Sequence, residues 1–513
     1  MKQLGVFDSA FINLEHPNTP QHVGGLGIYD PITSPDKKLQ FNKVLSNFER
    51  RLEKHDIFRS SLLRVPAGVD RPYWTLDSNF DIEFHVRHIA LPKPGDWRQL
   101  CILISQLHSQ PLNMSKPLWV TYIIEGVDGI PGVPKNGFAI YTKMHSALIE
   151  GAGHNSIMAV LHDLEADPEA VTPGPRTEQI TPAPSGLELL YAAAGHSTGS
   201  ALKLLSGSYS VLKGLGKTAL GLGRNVLAMP PLGAPKTRFN TLVGSCRSMA
   251  ATEFSLTELK KLKVLYGLKT EHVCIALVAG ALRRYLSHHQ ELPQESLAVA
   301  LMCGAGDRRN AAEGGQRSLA LTPIYSEISD PALRLMRIKD GVDGATEFAE
   351  YSPLANSRYL SGVFSPALSR PLVNAYIQRR AMRFLPMGIS SYVSQVSGPR
   401  FPLYCAGASL LRFYGLGALS SGVGLSHFFY SAADVVTVTV SANREAMPDP
   451  EFYRECLEEA YQELLSLLKK PTLAAEQKPA SAKAARATGN KKGELNTTAP
   501  SKLVTLKDHS SAS

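Results

Sequence analysis

Long apolar runs are missing from this chain of 513 residues. No window of about 18 residues, the length a helix needs to cross a bilayer, is both apolar and free of charge. A spanning helix is therefore not expected. Cysteine is scarce: Cys101, Cys246, Cys274, Cys303, Cys405 and Cys456 are scattered, with no CxxC among them. That spacing argues against a disulfide framework or a zinc site and fits a reducing compartment. Charged residues make up only 19% against 44% hydrophobic ones, a globular balance and not a disordered one. There is no P-loop and no G-x-G-x-x-G after a strand. Asp8 and Glu15 interrupt the N-terminal stretch, so no signal-peptide core is expected there. The expectation is a cytoplasmic protein, able to rest on a membrane, with no metal and no redox cofactor.

What is present is basic. The formal charge is +9 and the pI about 9.1. Part of the excess sits in residues 471–513, with seven Lys or Arg against three Asp or Glu. This suits an anionic lipid surface or a phosphate-bearing ligand and does not by itself argue nucleic acid. At ~100–200 residues per domain the length predicts two to three domains. Residues 1–170 read as a mixed α/β unit. Within it the spacing of Val44, Phe48 and Leu52 predicts a helix over 41–55, and 118–126 and 138–142 read as strands. Residues 171–235 read as a crossover: a Pro-rich linker, then a Gly-punctuated basic stretch (185–228) that is either an interfacial amphipathic helix or a packed one. Residues 236–470 form a second α/β unit. In it Ser255 and Glu258 make a capping box, 270–289 and 450–469 read as helices, and 433–442 as a strand. Residues 471–513 lack the apolar content to fold alone.

One cluster carries chemistry: Lys143-Met144-His145-Ser146-Ala147-Leu148-Ile149-Glu150-Gly151. A histidine at a strand end with an acid five residues later is by itself most simply a buried, hydrogen-bonded structural residue. Gly195-His196-Ser197-Thr198-Gly199 matches G-x-S-x-G, but the helix-prone residues before it lack the strand that a nucleophile elbow needs. Gly304-Ala305-Gly306-Asp307-Arg308-Arg309 reads as a charged turn, with Arg308 or Arg309 near a pyrophosphate as the other reading. Cys405 reads as a small buried hydrophobe.

Around the cluster stand Pro117-Leu118-Trp119, the N-terminal Phe7-Asp8-Ser9-Ala10-Phe11 with Glu15-His16-Pro17-Asn18-Thr19-Pro20-Gln21-His22-Val23-Gly24-Gly25, then Pro235-Lys236-Thr237-Arg238-Phe239-Asn240, and Val393-Ser394-Gln395-Val396-Ser397-Gly398-Pro399. In this serial order, over roughly residues 1–468, the chain resembles the bacterial wax ester synthase/diacylglycerol acyltransferase family. That family is similar to the wider class of CoA-dependent acyltransferases with an HHxxxDG motif. The resemblance implies an α/β fold of the chloramphenicol acetyltransferase-like kind: two pseudo-repeated mixed-sheet domains with a tunnel between them. It implies acyl-CoA as a substrate and diacylglycerol or a long-chain alcohol as acceptor. It also implies a location at the inner face of the membrane or at lipid droplets. Pro117, Trp119, Gln395, Ser397, Gly398 and Pro399 would shape the tunnel, the last four within a 393–399 loop.

The motif itself departs from the family pattern. His145 matches the first histidine, Ser146 stands at the general-base position, Glu150 replaces the aspartate, and Gly151 agrees. An alkyl hydroxyl is no base near neutral pH, and a positioned base is worth roughly 10²–10⁴-fold. The base role could pass to His145 turned inward or to His154 one helical turn past Gly151, or Ser146 could itself be acylated. Elsewhere the usual Asn-Asp pair reads Glu271-His272. Three readings follow. One is an O-acyltransferase with an altered site. The second is a silent acyl-chain or acyl-CoA binding homologue at lipid surfaces. The third is a transferase acting on an amine or thiol.

Overall fold

The computed structural model describes residues 2–34, 37–52, 55–148, 160–166, 184–194, 231, 233–303, 318–351 and 388–469. The chain opens with β1 (Lys2–Gln3), α1 (Val6–Leu14) and β2 (His22–Asp30). It continues through α2 (Phe41–Leu52), β3 (Ser60–Leu63), β4 (Tyr73–Leu76), α3 (Ile82–His85), β5 (Val86–Ala90) and α4 (Trp97–Ser109) to β6 (Trp119–Glu125) and β7 (Phe138–His145). The second half holds β8 (Arg247–Ser255), α5 (Leu256–Tyr266), α6 (Thr270–His288), β9 (Ala298–Cys303), β10 (Ser318–Pro323) and α7 (Pro331–Tyr351). It ends with β11 (Ile389–Ser397), β12 (Tyr404–Cys405), β13 (Ala408–Leu416), β14 (Leu425–Ala432), β15 (Val435–Asn443) and α8 (Pro450–Lys469).

Local chemistry accounts for these elements. On α2 the expected stripe of Val44, Phe48 and Leu52 is buried. Asp96 starts α4 by accepting from the Gln99 N–H at 2.8 Å. Ser255 does the same for Glu258 at 3.3 Å, and Gly267 ends α5 in the left-handed conformation at φ 62. The predicted helix at 450–469 is α8. The predicted strand at 433–442 begins at Val435, because Ala433 turns with φ 50.

Two six-stranded mixed sheets form, with orders β12-β13-β2-β7-β6-β5 and β10-β9-β11-β14-β15-β8, beside a small sheet β1-β4-β3. This is the expected α/β architecture. One feature differs from the sequence reading: the first large sheet is completed by β12 and β13, from residues 404–416. Segments 1–170 and 236–470 therefore do not each close a sheet of their own. Gly24, Gly25 and Gly27 leave β2 with few side chains, and aromatic rings fill the space: a Cβ on Gly25 would lie 2.6 Å from the Phe413 ring of β13.

The sheet alternation sorts residues by face. One face carries Leu26, Ile28, Ala139, Tyr141, Tyr122 and Ile124, packed against Leu100 and Ile104 of α4 and against Met249, Ala251 and Tyr414. The other carries Tyr29, Phe138, Ile140, Met144 and Ile123, packed on Val44 and Phe48 of α2. A further core wraps α6, which is buried from Val273 to Leu282. The crossover stretch 195–228, Gly304–Arg309 and the 471–513 tail lie outside the described residues. Among the described residues no single helix is long and apolar enough to cross a membrane.

Candidate active site

β7 runs three residues further than the sequence predicts, carrying Lys143 and His145 on the face packed against α4. Charged and polar groups survive there only when paired. Lys143 Nζ donates to the carbonyls of Leu107 and Gln110, 2.7 Å to each, at the C-terminal end of α4. A cation at a helix C-terminus also faces the negative end of its dipole. Burial nonetheless pulls the Lys143 amine down to about 8. His22, directly opposite His145 in the β2–β7 register, makes a third attachment through Nε2–H to the His108 carbonyl. The end of α4 is thus fastened to the motif strand from two strands at once.

His145 is 1% exposed. Its Nδ1 accepts the Ala147 N–H at 3.1 Å, so in the neutral ring the proton sits on Nε2. That Nε2 faces Glu15 Oε2 at 3.3 Å, and the same carboxylate oxygen accepts the Gln21 N–H at 2.6 Å. Gln21 in turn gives its carbonyl to the Ser146 N–H at 2.8 Å. The motif corner is therefore held by Glu15, a residue to which the sequence reading gave no role. The signal was present in its family-like surroundings, but the pairing spans 130 positions. Ser146 is buried at the corner, and Glu150, Gly151 and His154 lie outside the described residues.

A cluster of neutral rings adjoins this corner. His108 Nδ1 accepts from the Tyr141 hydroxyl at 2.7 Å, and its Nε2 donates to the Gly417 carbonyl at 3.2 Å. Burial holds His108 at about 3 and keeps His22 well below the ordinary histidine range. His22 Nδ1 has no hydrogen-bond partner among the described residues.

The expected tunnel residues are distributed differently. Pro117 is buried just before β6. Trp119 is a core residue, 1% exposed, stacked on His85 and donating its indole N–H to the Phe58 carbonyl at 2.7 Å. Residues 389–397 form strand β11 rather than a loop, because they pair in parallel with β9 and β14; Gln395 and Ser397 are ladder positions. Gly398 follows, its N–H bonded to the Ser431 carbonyl at 2.7 Å, with the Tyr430 ring in the space a side chain would take. Pro399 borders a cavity of about 300 Å³ lined also by Phe401, Leu410, Phe413 and Tyr430. Phe413 pairs with Gly27, which pairs with Ile140, so this cavity opens on the sheet face opposite His145.

His272, at the usual Asn-Asp position, is an N-terminal cap of α6. Its Nδ1 accepts the Lys269 N–H at 3.1 Å and its Nε2 meets Asp343 at 3.2 Å. Cys405 is fully buried and its thiol is pushed up to about 12, which leaves it inert.

Comparison with known proteins places this geometry. The family model of the wax ester synthase/diacylglycerol acyltransferase catalytic domain matches residues 4–274, and that of the family's C-terminal domain matches residues 313–465. The O-acyltransferase WSD of Acinetobacter baylyi is 31% identical over 481 residues, covering 90% of this chain and 96% of that protein. The solved wax ester synthase/diacylglycerol acyltransferase from Marinobacter aquaeolei VT8 superposes with a TM-score of 0.62 at 22% identity, covering 92% of this chain and 100% of that one. A starter condensation domain of rhizomide synthetase, solved in complex with C8-CoA and Leu-SNAC, shares the fold at a TM-score of 0.52 and 11% identity, covering 91% of this chain and 94% of that one. The chain belongs to the wax ester synthase/diacylglycerol acyltransferase family.

Proposed function

We propose that this protein transfers a fatty acyl group from acyl-CoA to the hydroxyl of diacylglycerol or of a long-chain alcohol. The observation that carries this reading is the span of the likeness. Both family domains are matched in order, and the strand bearing the motif histidine belongs to the sheet that both halves of the chain build. In the reaction the acceptor oxygen bonds to the thioester carbon, the carbon–sulfur bond breaks, and the hydroxyl proton ends on the CoA sulfur.

This chain's residues supply a fixed corner. Glu15 and the Ala147 N–H orient His145, Gln21 fixes Ser146, and Lys143 and His22 fasten the strand to α4. His145 spends its only lone pair on Ala147, so as placed here it is a positioning residue and not the base. The developing oxyanion would be met by backbone N–H groups.

We further propose that the enzyme works from the cytoplasmic side at a lipid surface. Supporting this, α5 turns outward Val264 and Leu265, 84% and 42% exposed, one turn beyond the exposed Lys260 and Lys261. Apolar side chains next to lysines suit an anionic interface, and the basic 471–513 segment follows α8 in the chain.

Two experiments test these readings. Offered palmitoyl-CoA with equal hexadecanol and dipalmitoylglycerol, the protein should yield wax ester, triacylglycerol or both, identified by mass; hydrolysis to free palmitate alone counts against an O-acyltransferase. In flotation with anionic vesicles, Lys260→Glu together with Val264→Glu should weaken binding at low salt; unchanged binding removes that surface from the account.

A further inference from the structure

Ser146 leaves the site without a base at the expected position, and His145 has no lone pair to offer. We propose that His22, through Nδ1, is the base that receives the acceptor's hydroxyl proton. This rests on the acyltransfer reading above.

Four observations converge on it. His22 is the direct cross-strand partner of His145, which sets their Cβ atoms about 4.5–5.5 Å apart on one face of the sheet. Its tautomer is fixed: Nε2 faces the His108 carbonyl and must donate, so the neutral ring carries its lone pair on Nδ1. That lone pair is unused, since Nδ1 is a buried polar atom with no hydrogen-bond partner among the described residues. Buried polar atoms are seldom left so, and an orphan beside a reacting centre is where a substrate proton belongs. Finally, every neighbouring ring is already committed: His108 holds Tyr141 and Gly417, and His145 holds Ala147 and Glu15.

The arrangement gives a complete step. As the acceptor oxygen attacks the thioester carbon, its proton passes to Nδ1 and His22 becomes an imidazolium. The carbon–sulfur bond then breaks, and the proton moves from Nδ1 to the departing CoA thiolate, which restores the neutral ring. The N–H on Nε2 stays on the His108 carbonyl at the negative end of α4, which favours the transient cation. The groups facing this ring are His108 from α4, Lys143 and His145 from β7, and Glu15 beyond His145. Burial first, then His108 and Lys143, keep the resting ring neutral well below the usual histidine range.

The test compares the full chain with its His22→Gln variant, because Gln keeps a donor for the His108 carbonyl and replaces the basic ring nitrogen with an amide that takes up no proton. Steady-state transfer of palmitate from palmitoyl-CoA is followed with either acceptor. The proposal predicts a kcat loss of about 100-fold or more, with KM for palmitoyl-CoA little changed. Adding Ser146→His to His22→Gln should then restore at least about tenfold of the loss, as a new base enters the vacant family position. A folded His22→Gln variant with kcat within about twofold of the parent overturns the proposal and leaves the acyltransfer reading intact. A parent chain that binds palmitoyl-CoA without turnover overturns both. A second measurement needs no variant: kcat of the parent should show no fall centred near pH 6.5, because burial keeps His22 below the ordinary histidine range. A fall centred near pH 6.5, the ordinary histidine value, would point to a solvated histidine and overturn the assignment.

Discussion

Glu15 and His145 are 130 residues apart in sequence and 3.3 Å apart in space, and the carboxylate that meets the histidine ring also accepts the Gln21 N–H. One acid thus holds both sides of the motif corner. Glu15→Ala should leave two buried donors unpaired, at about 1–3 kcal/mol each. The melting temperature should fall and kcat should drop more than about tenfold, while Glu15→Gln, whose amide oxygen can still accept, should recover part of both. Equal kcat in the Ala variant would show that the corner holds without Glu15.

By the resemblance, Ser146 falls at the position of the family's base. Because His22 already supplies the base, Ser146→His alone should change kcat by less than about tenfold, far short of the roughly 10²–10⁴-fold that supplying a missing base brings. A folded single variant whose kcat rises about 100-fold or more would mean that the parent works without a base and would count against His22.

Trp119 belongs to the core, with its indole N–H on the Phe58 carbonyl. Trp119→Phe should therefore lower stability by about 1–3 kcal/mol, read by denaturant melts, and leave KM for palmitoyl-CoA unchanged. A raised KM with unaltered stability would place the ring in the substrate path instead.

Buried neutral histidines set the acid response. His108 and His427 are each held at about 3 by burial. Unfolded, they take up protons near pH 6.5, so the unfolded state binds more protons between about pH 6.5 and 3 and stability falls as pH falls through that window. From pH 7.5 to 5 each contributes a loss of about 2 kcal/mol. Denaturation midpoints at the two pH values check this, and His427→Gln should flatten the dependence. A midpoint that rises on acidification would contradict it.

The elements that local chemistry dictates were legible in the sequence: the α2 stripe, the Ser255 cap, the span of α8 and the strands around Trp119 and Phe138. The resemblance in serial order likewise disclosed the family and the two-sheet fold. What the sequence hid is long-range. β13 pairs with β2, more than 370 residues away in the chain, a pairing that no local pattern encodes. Trp119 reads as a site residue by its motif and is a core residue by its neighbours. Glu15 acquires a role only when the turn after α1 meets the end of β7, and Lys143 and His22 only when α4 is brought against β7 and β2, since each role is a partner and not a residue type.

The most direct test of the account is acceptor-dependent release of CoA. Purified full chain is mixed with palmitoyl-CoA, with and without hexadecanol or dipalmitoylglycerol, and free CoA and ester are both measured. The account predicts CoA and ester in equal amounts when an acceptor is present and little of either without one. Palmitoyl-CoA that binds yet yields no ester with either acceptor would contradict it, and would make this member of the family a binder of acyl-CoA without the chemistry.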